Sequence, residues 1–224
     1  MFAHVHVVGT GRAGGALRAR LVERGLRVTD GRDADPGADL VLLCVPDGAI
    51  GEVASRLPVG PWIAHVSGAT PLAALAPHTL RFGMHPLQTL VRGRGPEQLD
   101  EAWAAVGGED EAARERGRWL AETLGLRPFA IAEADRALYH AAAVIGGNFL
   151  VTLHRVAQRL LVAVDAPPEA IEPLMARTVE NGYELTGPIA RGDDATIEAH
   201  LEALAARAPD LLPLYRALAE ATRR

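Results

Sequence analysis

The chain contains no lysine: its 224 residues carry 23 fixed cationic side chains, and every one is arginine. Chemistry that needs an ε-amine as acid, base or Schiff-base nucleophile is therefore excluded. There is one cysteine, Cys44, in the apolar run DLVLLCVP. It has no partner for a disulfide within the chain and reads as a small buried hydrophobe. Aromatic residues make up only 4% of the chain, and no apolar run approaches the roughly 20 residues of a membrane span. A net charge of −5 lacks the basic excess that nucleic-acid binding needs. The first expected strand starts within three residues of Met1, which leaves no room for a secretory leader. The expectation is a cytoplasmic protein with neither membrane nor nucleic acid as partner. The histidines lack metal-ligand spacing: His4 and His6 alternate along one strand and no His-Glu-x-x-His run occurs. No metal is expected.

What is present begins at HVHVVGTGRAGGAL. The β-branched run His4 to Val8 feeds into Gly9-Thr10-Gly11-Arg12-Ala13-Gly14, and Ala13, Leu17 and Leu21 then recur at helical spacing. In such a strand–turn–helix the first glycine makes the turn, the second admits a pyrophosphate to backbone N–H groups, and the third lets helix pack on strand. Residues 9 to 14 are thus the candidate nucleotide cradle, with a purely structural turn as the plainer alternative. Further strands are expected at Leu26 to Thr29, Leu40 to Val45, Trp62 to Val66, Arg81 to Met84, Trp103 to Val106 and Pro128 to Ile131, with an amphipathic helix over Glu109 to Leu124. The link DGRDADPGAD between Thr29 and Leu40 is too short and polar for the usual crossover helix. From Asp135 to about Val164 apolar residues keep helical spacing, and three shorter helices are expected after it: Glu169 to about Glu184, one from Thr196 and one from about Leu211. The expected fold is α/β: a Rossmann-like, mostly parallel sheet over residues 1–132, then a smaller all-α domain over 133–224.

Asp30 falls where a ribose 2′-OH is usually read, and Arg32 suits a 2′-phosphate, so NADP and NAD both stay open; solvated turn residues are the bland alternative. At the following strand ends Val45, Pro46, Asp47 and Ser67 occupy the carboxyl edge, where open parallel sheets bind ligands, although Asp47 and Ser67 also suit helix caps. His85 is expected at the end of the fifth strand, stopped by Pro86, with Gln88 beside it. On the long helix His140 and Asn148 share a side, while Tyr139 points about 100° away from His140. The pair Gly146-Gly147 costs about 2 kcal/mol relative to Ala-Ala in a helix, which points to close approach by a nicotinamide ring or a neighbouring helix. Hydride transfer to a carbonyl or imine needs a proton donor, and without lysine histidine is the natural one near neutrality. His140 and His85 are the candidate catalytic residues and Asn148 orients; a merely packed histidine is the alternative. In NGYELTGPIARGD, Asn181, Thr186 and Arg191 surround a Gly-Pro turn. Arg191 is the candidate clamp for a substrate carboxylate, and Asp193 or Asp194 suits an N-cap.

Together, VGTGRAGGAL, DLVLLCVPDGAI, HVSGAT, GMHPLQTL, YHAAAVIGGNFLVTL and LTGPIARGD resemble a bacterial two-domain family of NADP oxidoreductases. In that family a Rossmann-like domain precedes a helical domain of unknown function. It is similar in turn to the group containing 6-phosphogluconate dehydrogenase, pyrroline-5-carboxylate reductase, prephenate dehydrogenase and ketopantoate reductase. The resemblance implies NADP, a small carboxylate-bearing carbonyl substrate such as a ketopantoate-like acid, and a homodimer built through the helical domain. Met84-His85-Pro86 is similar to a His-Pro element of prephenate dehydrogenases. The lysine that many ketopantoate and hydroxyacid members carry on the long helix is absent, so their mechanism does not transfer. An imine reductase and a non-catalytic nucleotide-sensing or scaffold protein are the alternatives.

Overall fold

The computed structural model describes residues 1–223. Seven strands are formed: β1 (His4–Val8), β2 (Arg27–Asp30), β3 (Leu40–Leu43), β4 (Trp62–His65), β5 (Arg81–Leu87), β6 (Trp103–Gly108) and β7 (Arg127–Ala130). They make one sheet in the order β2-β1-β3-β4-β5-β6-β7. Every pairing is parallel except β5 with β6. Helices α1 (Arg12–Glu23) and α3 (Glu111–Thr123) pack on one face, where Val5, Val7, Leu40, Leu42, Phe82, Met84 and Val106 meet Leu17, Leu21 and Leu120. The alternate residues Val41, Leu43 and Ile63 face α2 (Ile50–Arg56) on the other side. Covering both faces explains why β3 reads as an unbroken apolar run. Asp110 caps α3 by accepting the N–H of Ala113, and Gly125 leaves it at φ +82°.

One expectation changes here. Pro86 does not end β5, which continues to Leu87 with Pro86 opposite Ala104. Beyond Gly83 the strand has a partner on one side only, an edge-like setting in which proline is tolerated. The link from β2 to β3 has no helix, as its length required, and a polar network takes the helix's place. His4 Nδ1 donates to the Gly37 carbonyl at 2.9 Å, and His4 Nε2 and His6 Nδ1 both meet the Thr29 hydroxyl, at 3.0 and 2.9 Å. Asp39 accepts the N–H groups of His4 and Ala3, which hold its carboxyl below the usual carboxylate range.

The chain divides into two compact units, Met1–Gly147 and Asn148 onward. The boundary expected at 132/133 precedes the long helix, whereas this division falls inside it, because the helix's first turns are bonded to the sheet's carboxyl edge. Helix α4 (Arg136–Val144) passes through a π-helical turn, Ile145–Phe149, into α5 (Leu150–Val162). The second unit contains α5, α6 (Ile171–Glu180), α7 (Asp194–Arg207) and α8 (Leu212–Arg223). Its small core joins Leu204, Ala208 and Leu211 to Val156, Leu160 and Tyr215, and Arg159 grips Asp210 with two hydrogen bonds of 2.6 and 2.7 Å. Contrary to the sequence expectation, one helix, Glu133–Val162, is long and apolar enough by length and composition to cross a membrane. Its polar residues are spread among the apolar ones rather than interrupting them as a block.

Phe82 is fully buried beside Phe2 and Trp62, with ring centroids 6.3 and 6.1 Å away. Phe82→Ala is expected to lower the unfolding free energy by about 3–5 kcal/mol, read from urea midpoints at constant m-value.

Candidate active site

The three glycines of the first loop differ in what surrounds them. Gly9 turns the chain at φ +97°, and a Cβ there would lie 2.6 Å from the Cys44 carbonyl oxygen. A Cβ on Gly14 would lie 1.8 Å from the Gly9 carbonyl oxygen, so helix and strand pack too closely for any side chain. Gly11 meets nothing within 4 Å and opens outward. It is the N-cap of α1, whose first turn has no side-chain cap and no acidic residue. Helix N–H groups left in this way favour an anion. Thr10 and Arg12 are exposed beside Gly11, and Ala13 is half-buried. Burial pushes the Cys44 thiol up to about 12, consistent with a packing role.

Asp30 is the last residue of β2, and its carboxylate pairs with Arg18 of α1 at 2.6 Å. Arg32 stands exposed in the following loop with no acidic partner among the described residues. Val45, Pro46 and Asp47 follow β3 on the same edge, and Val45 Cγ1 would lie 3.2 Å from a Cβ on Gly9. Asp47 opens a short 3-10 turn, Asp47–Ala49, without capping it. Ser67 is buried and folds its own loop: its hydroxyl donates to Thr70 Oγ1 and accepts the N–H groups of Ala69 and Thr70.

The strongest cluster lies at the ends of β4 and β5. His85 Nδ1 and Tyr139 Oη share a hydrogen bond of 2.6 Å. The His140 ring stands edge-on to His85, with centroids 6.1 Å apart. A Cβ on Gly68 would lie 2.8 Å from His140 Cδ2 and 2.9 Å from His85 Cε1, so that glycine lets both imidazoles approach the loop after β4. Burial first, then His140 and Arg136, bring His85 down to about 4. Burial raises the Tyr139 phenol to about 12, with Arg136 opposing. His65, wholly buried at the end of β4, accepts the Ser67 N–H at 3.3 Å and is likewise brought down to about 4, by burial and then Arg136.

Arg136 holds this cluster in place. It is 4% exposed, donates to the Glu133 carboxylate at 3.0 and 3.2 Å, and reaches the Ser67 carbonyl at 3.4 Å. Glu133 also accepts the N–H of Leu72 at 2.7 Å. The guanidinium occupies space left by Gly83 and Gly107, which are partners across β5 and β6; a Cβ on them would lie 3.1 and 2.6 Å from Arg136 Nη2. Tyr139 and His140 lie one turn further along the helix. Arg136 was not singled out from the sequence, and Tyr139 was placed there on a different face from His140. The signal that finds Arg136 is the matched glycine pair on adjacent strands.

The remaining candidates are exposed. Gln88 accepts the N–H of Thr89, at 2.8 Å. Asn148 lies in the π-helical turn, Asn181 closes α6, and Thr186 and Arg191 lie in the loop before α7. Asp193 is the N-cap of α7, accepting the N–H of Thr196 at 3.1 Å, whereas Asp194 pairs with Arg223. Gly146 and Gly147 meet nothing within 4 Å, so the close approach expected there is not made by this chain. Among the described residues no group of three His, Cys, Asp or Glu could hold a metal ion.

A parallel sheet whose first strand ends in an open glycine turn, with ionisable residues gathered at the same edge, defines a Rossmann-like α/β protein. The chain belongs to the DUF2520 family: residues 102–222 match the model described as "Domain of unknown function (DUF2520)". No curated protein is similar enough in sequence to count as a relative. Among solved structures, a candidate NADP oxidoreductase of Bacteroides fragilis superposes with a TM-score of 0.82 at 22% identity, over 99% of this chain and 98% of that one. A protein of Thermotoga maritima gives 0.74 at 24% identity, over 98% and 100%. The reductive aminase of Aspergillus terreus, solved with NADPH and ethyl levulinate, gives 0.69 at 16% identity, over 98% and 93%. At these identities the likeness carries the fold.

The buried imidazoles make stability depend on pH. His65 and His85 stay neutral in the folded chain down to about 4, while unfolded imidazoles take up protons near 6.5. Between these values the unfolded state binds more protons, so stability falls as pH falls. Urea midpoints should drop from pH 7 to pH 4, and the drop should shrink in His65→Asn.

Proposed function

We propose that this protein is an NADP(H)-dependent oxidoreductase acting on a small carboxylate-bearing carbonyl compound, with ketopantoate-like keto acids the first class to test. The observation that carries this reading is the placement of the open Gly11 turn and the His85–Tyr139–His140 cluster on one edge of one sheet. The glycine turn fits a dinucleotide: the backbone is free at Gly11 and closed at Gly9 and Gly14. Gly9 to Gly14 would hold the pyrophosphate, Val45, Pro46, Asp47 and Ser67 the edge beyond it, and a bound nicotinamide dinucleotide supplies or takes up hydride. Because Asp30 is already paired with Arg18 while Arg32 is free, the reading favours a 2′-phosphate on Arg32, and hence NADP over NAD.

His85 and His140, both half-buried, flank the reacting carbonyl. In the first unit Gln88 is the candidate polar contact for substrate; in the second, Arg191 is the candidate carboxylate-binding residue, with Asn148, Asn181 and Thr186 as further polar candidates. The likeness to a reductive aminase favours imine reduction as the second reading, since an imine nitrogen needs the same proton. A desolvated single thiol and a soluble cofactor fit a cytoplasmic setting.

The partner is a second copy of the chain. Leu138, Ile145, Phe149 and Leu153 project from the long helix into solvent. Arg155 and Arg159, exposed on that helix, make a bilayer a costly occupant. Sedimentation should give a dimer, and Phe149→Glu should shift it to monomer; a monomeric wild type overturns this part of the reading.

Calorimetry with NADPH and NADH tests the cofactor. NADPH is expected to bind tighter, and Arg32→Ala to narrow the difference. Gly11→Ala should fold with an unchanged melting temperature yet lose at least tenfold in NADPH affinity, whereas Gly14→Ala should unfold at lower temperature. Binding of neither cofactor by the wild type would sink the oxidoreductase reading and leave the scaffold one.

A further inference from the structure

The proposed reaction needs a proton at the substrate oxygen, and three groups at the site compete to supply it. His140 makes no hydrogen bond among those found for the described residues. His85 is neutral at working pH, with burial, His140 and Arg136 disfavouring the imidazolium and only Asp47 favouring it. Tyr139 is half-exposed, bonded through Oη to His85 Nδ1 at 2.6 Å, and its ring is fixed edge-on to Phe129 at 5.8 Å. Its helix is pinned one turn earlier by buried Arg136, paired with Glu133.

We infer that Tyr139 is the proton donor and that His85 recharges it by exchanging tautomers while remaining neutral. This assignment rests on the oxidoreductase reading. In the resting state Nδ1–H of His85 donates to Tyr139 Oη, which leaves the phenolic O–H free for the substrate. A bound reduced nicotinamide dinucleotide would supply hydride to the carbonyl carbon, and the C=O π pair would then move to oxygen. The Tyr139 O–H bond breaks and the proton joins that oxygen, giving an alcohol and a phenolate. The phenolate takes the Nδ1 proton of His85 while Nε2 takes one from water, so His85 ends as its other neutral tautomer. Proton exchange with water then restores Nδ1–H. The net uptake is one hydride and one solvent proton. Arg136 supports the transient phenolate electrostatically, since its charge opposes the effect of burial on Tyr139. In a chain without lysine this guanidinium supplies the positive charge.

The resting tautomer can be read without a substrate. Nitrogen-15 imidazole spectra of histidine-labelled protein, with His85 assigned by loss of its signals in His85→Gln, should show His85 neutral from pH 5.5 to 8 with its proton on Nδ1. In Tyr139→Phe that preference should relax toward Nε2–H. A resting Nε2–H tautomer with bare Nδ1 means that Tyr139 already spends its proton on His85, and overturns the proposal. In parallel, NADPH oxidation with ketopantoate should fall at least 100-fold in kcat in Tyr139→Phe, with the calorimetric NADPH Kd within twofold of wild type. Unchanged kcat also overturns the proposal. Failure of the wild type to bind NADPH instead removes the oxidoreductase reading, and the tautomer result still decides whether Tyr139 holds a free proton.

Discussion

The site depends on one ion pair whose cation is buried and whose carboxylate is exposed. Arg136 and Glu133 lie three residues apart at the start of the long helix, and together they hold the segment after β4 at the Ser67 carbonyl and the Leu72 N–H. A guanidinium this deep is tolerable only because its donors are engaged by a carboxylate and a carbonyl; a buried charge missing either would be strongly unfavourable. The glycines on β5 and β6 are the complement of that arrangement, since the charge fits only where two side chains are missing. From this anchor follow the position of Tyr139, its bond to His85 and the edge contact of His140.

The same anchor explains the environment of the histidines. His65 and His85 sit beside a fixed positive charge and behind packed side chains, so both terms act against an imidazolium. A histidine chosen for a reference value near neutrality thus turns out, at position 85, to be a neutral group. Its usefulness lies in having two nitrogens and not in its charge.

Much of the fold was legible because it depends on local pattern. The strand–turn–helix at Gly9, the continuous apolar β3 and the absence of a helix after β2 follow from spacing, turn residues and segment length. His85 and His140 were also legible as ionisable residues in otherwise apolar surroundings. Arg136 was not, because its carbonyl partner Ser67 is 69 residues away and the Leu72 N–H held by its ion-pair mate Glu133 is 61 residues from that carboxylate, and an arginine at a helix start usually reads as solvated. Tyr139 was set aside because an α-helical wheel separates it from His140, yet His85 lies between their rings and meets both. The Gly146-Gly147 pair was legible only in part: its intrinsic cost says that a side chain is unwelcome, without saying which molecule approaches, and no neighbour from this chain does.

The polar plug of His4, His6 and Thr29, in the place of a crossover helix, gives this corner of the sheet a different thermal character. Apolar burial elsewhere carries the positive heat-capacity change of unfolding and weakens on cooling, whereas exposing polar groups changes heat capacity in the opposite direction. The β1–β2 corner, where this polar network adds to the apolar packing of Val5, Val7 and Val28, therefore depends less on apolar burial alone. On cooling it should keep its hold while the helix-covered faces lose some of theirs, so the two sides of one sheet answer temperature differently.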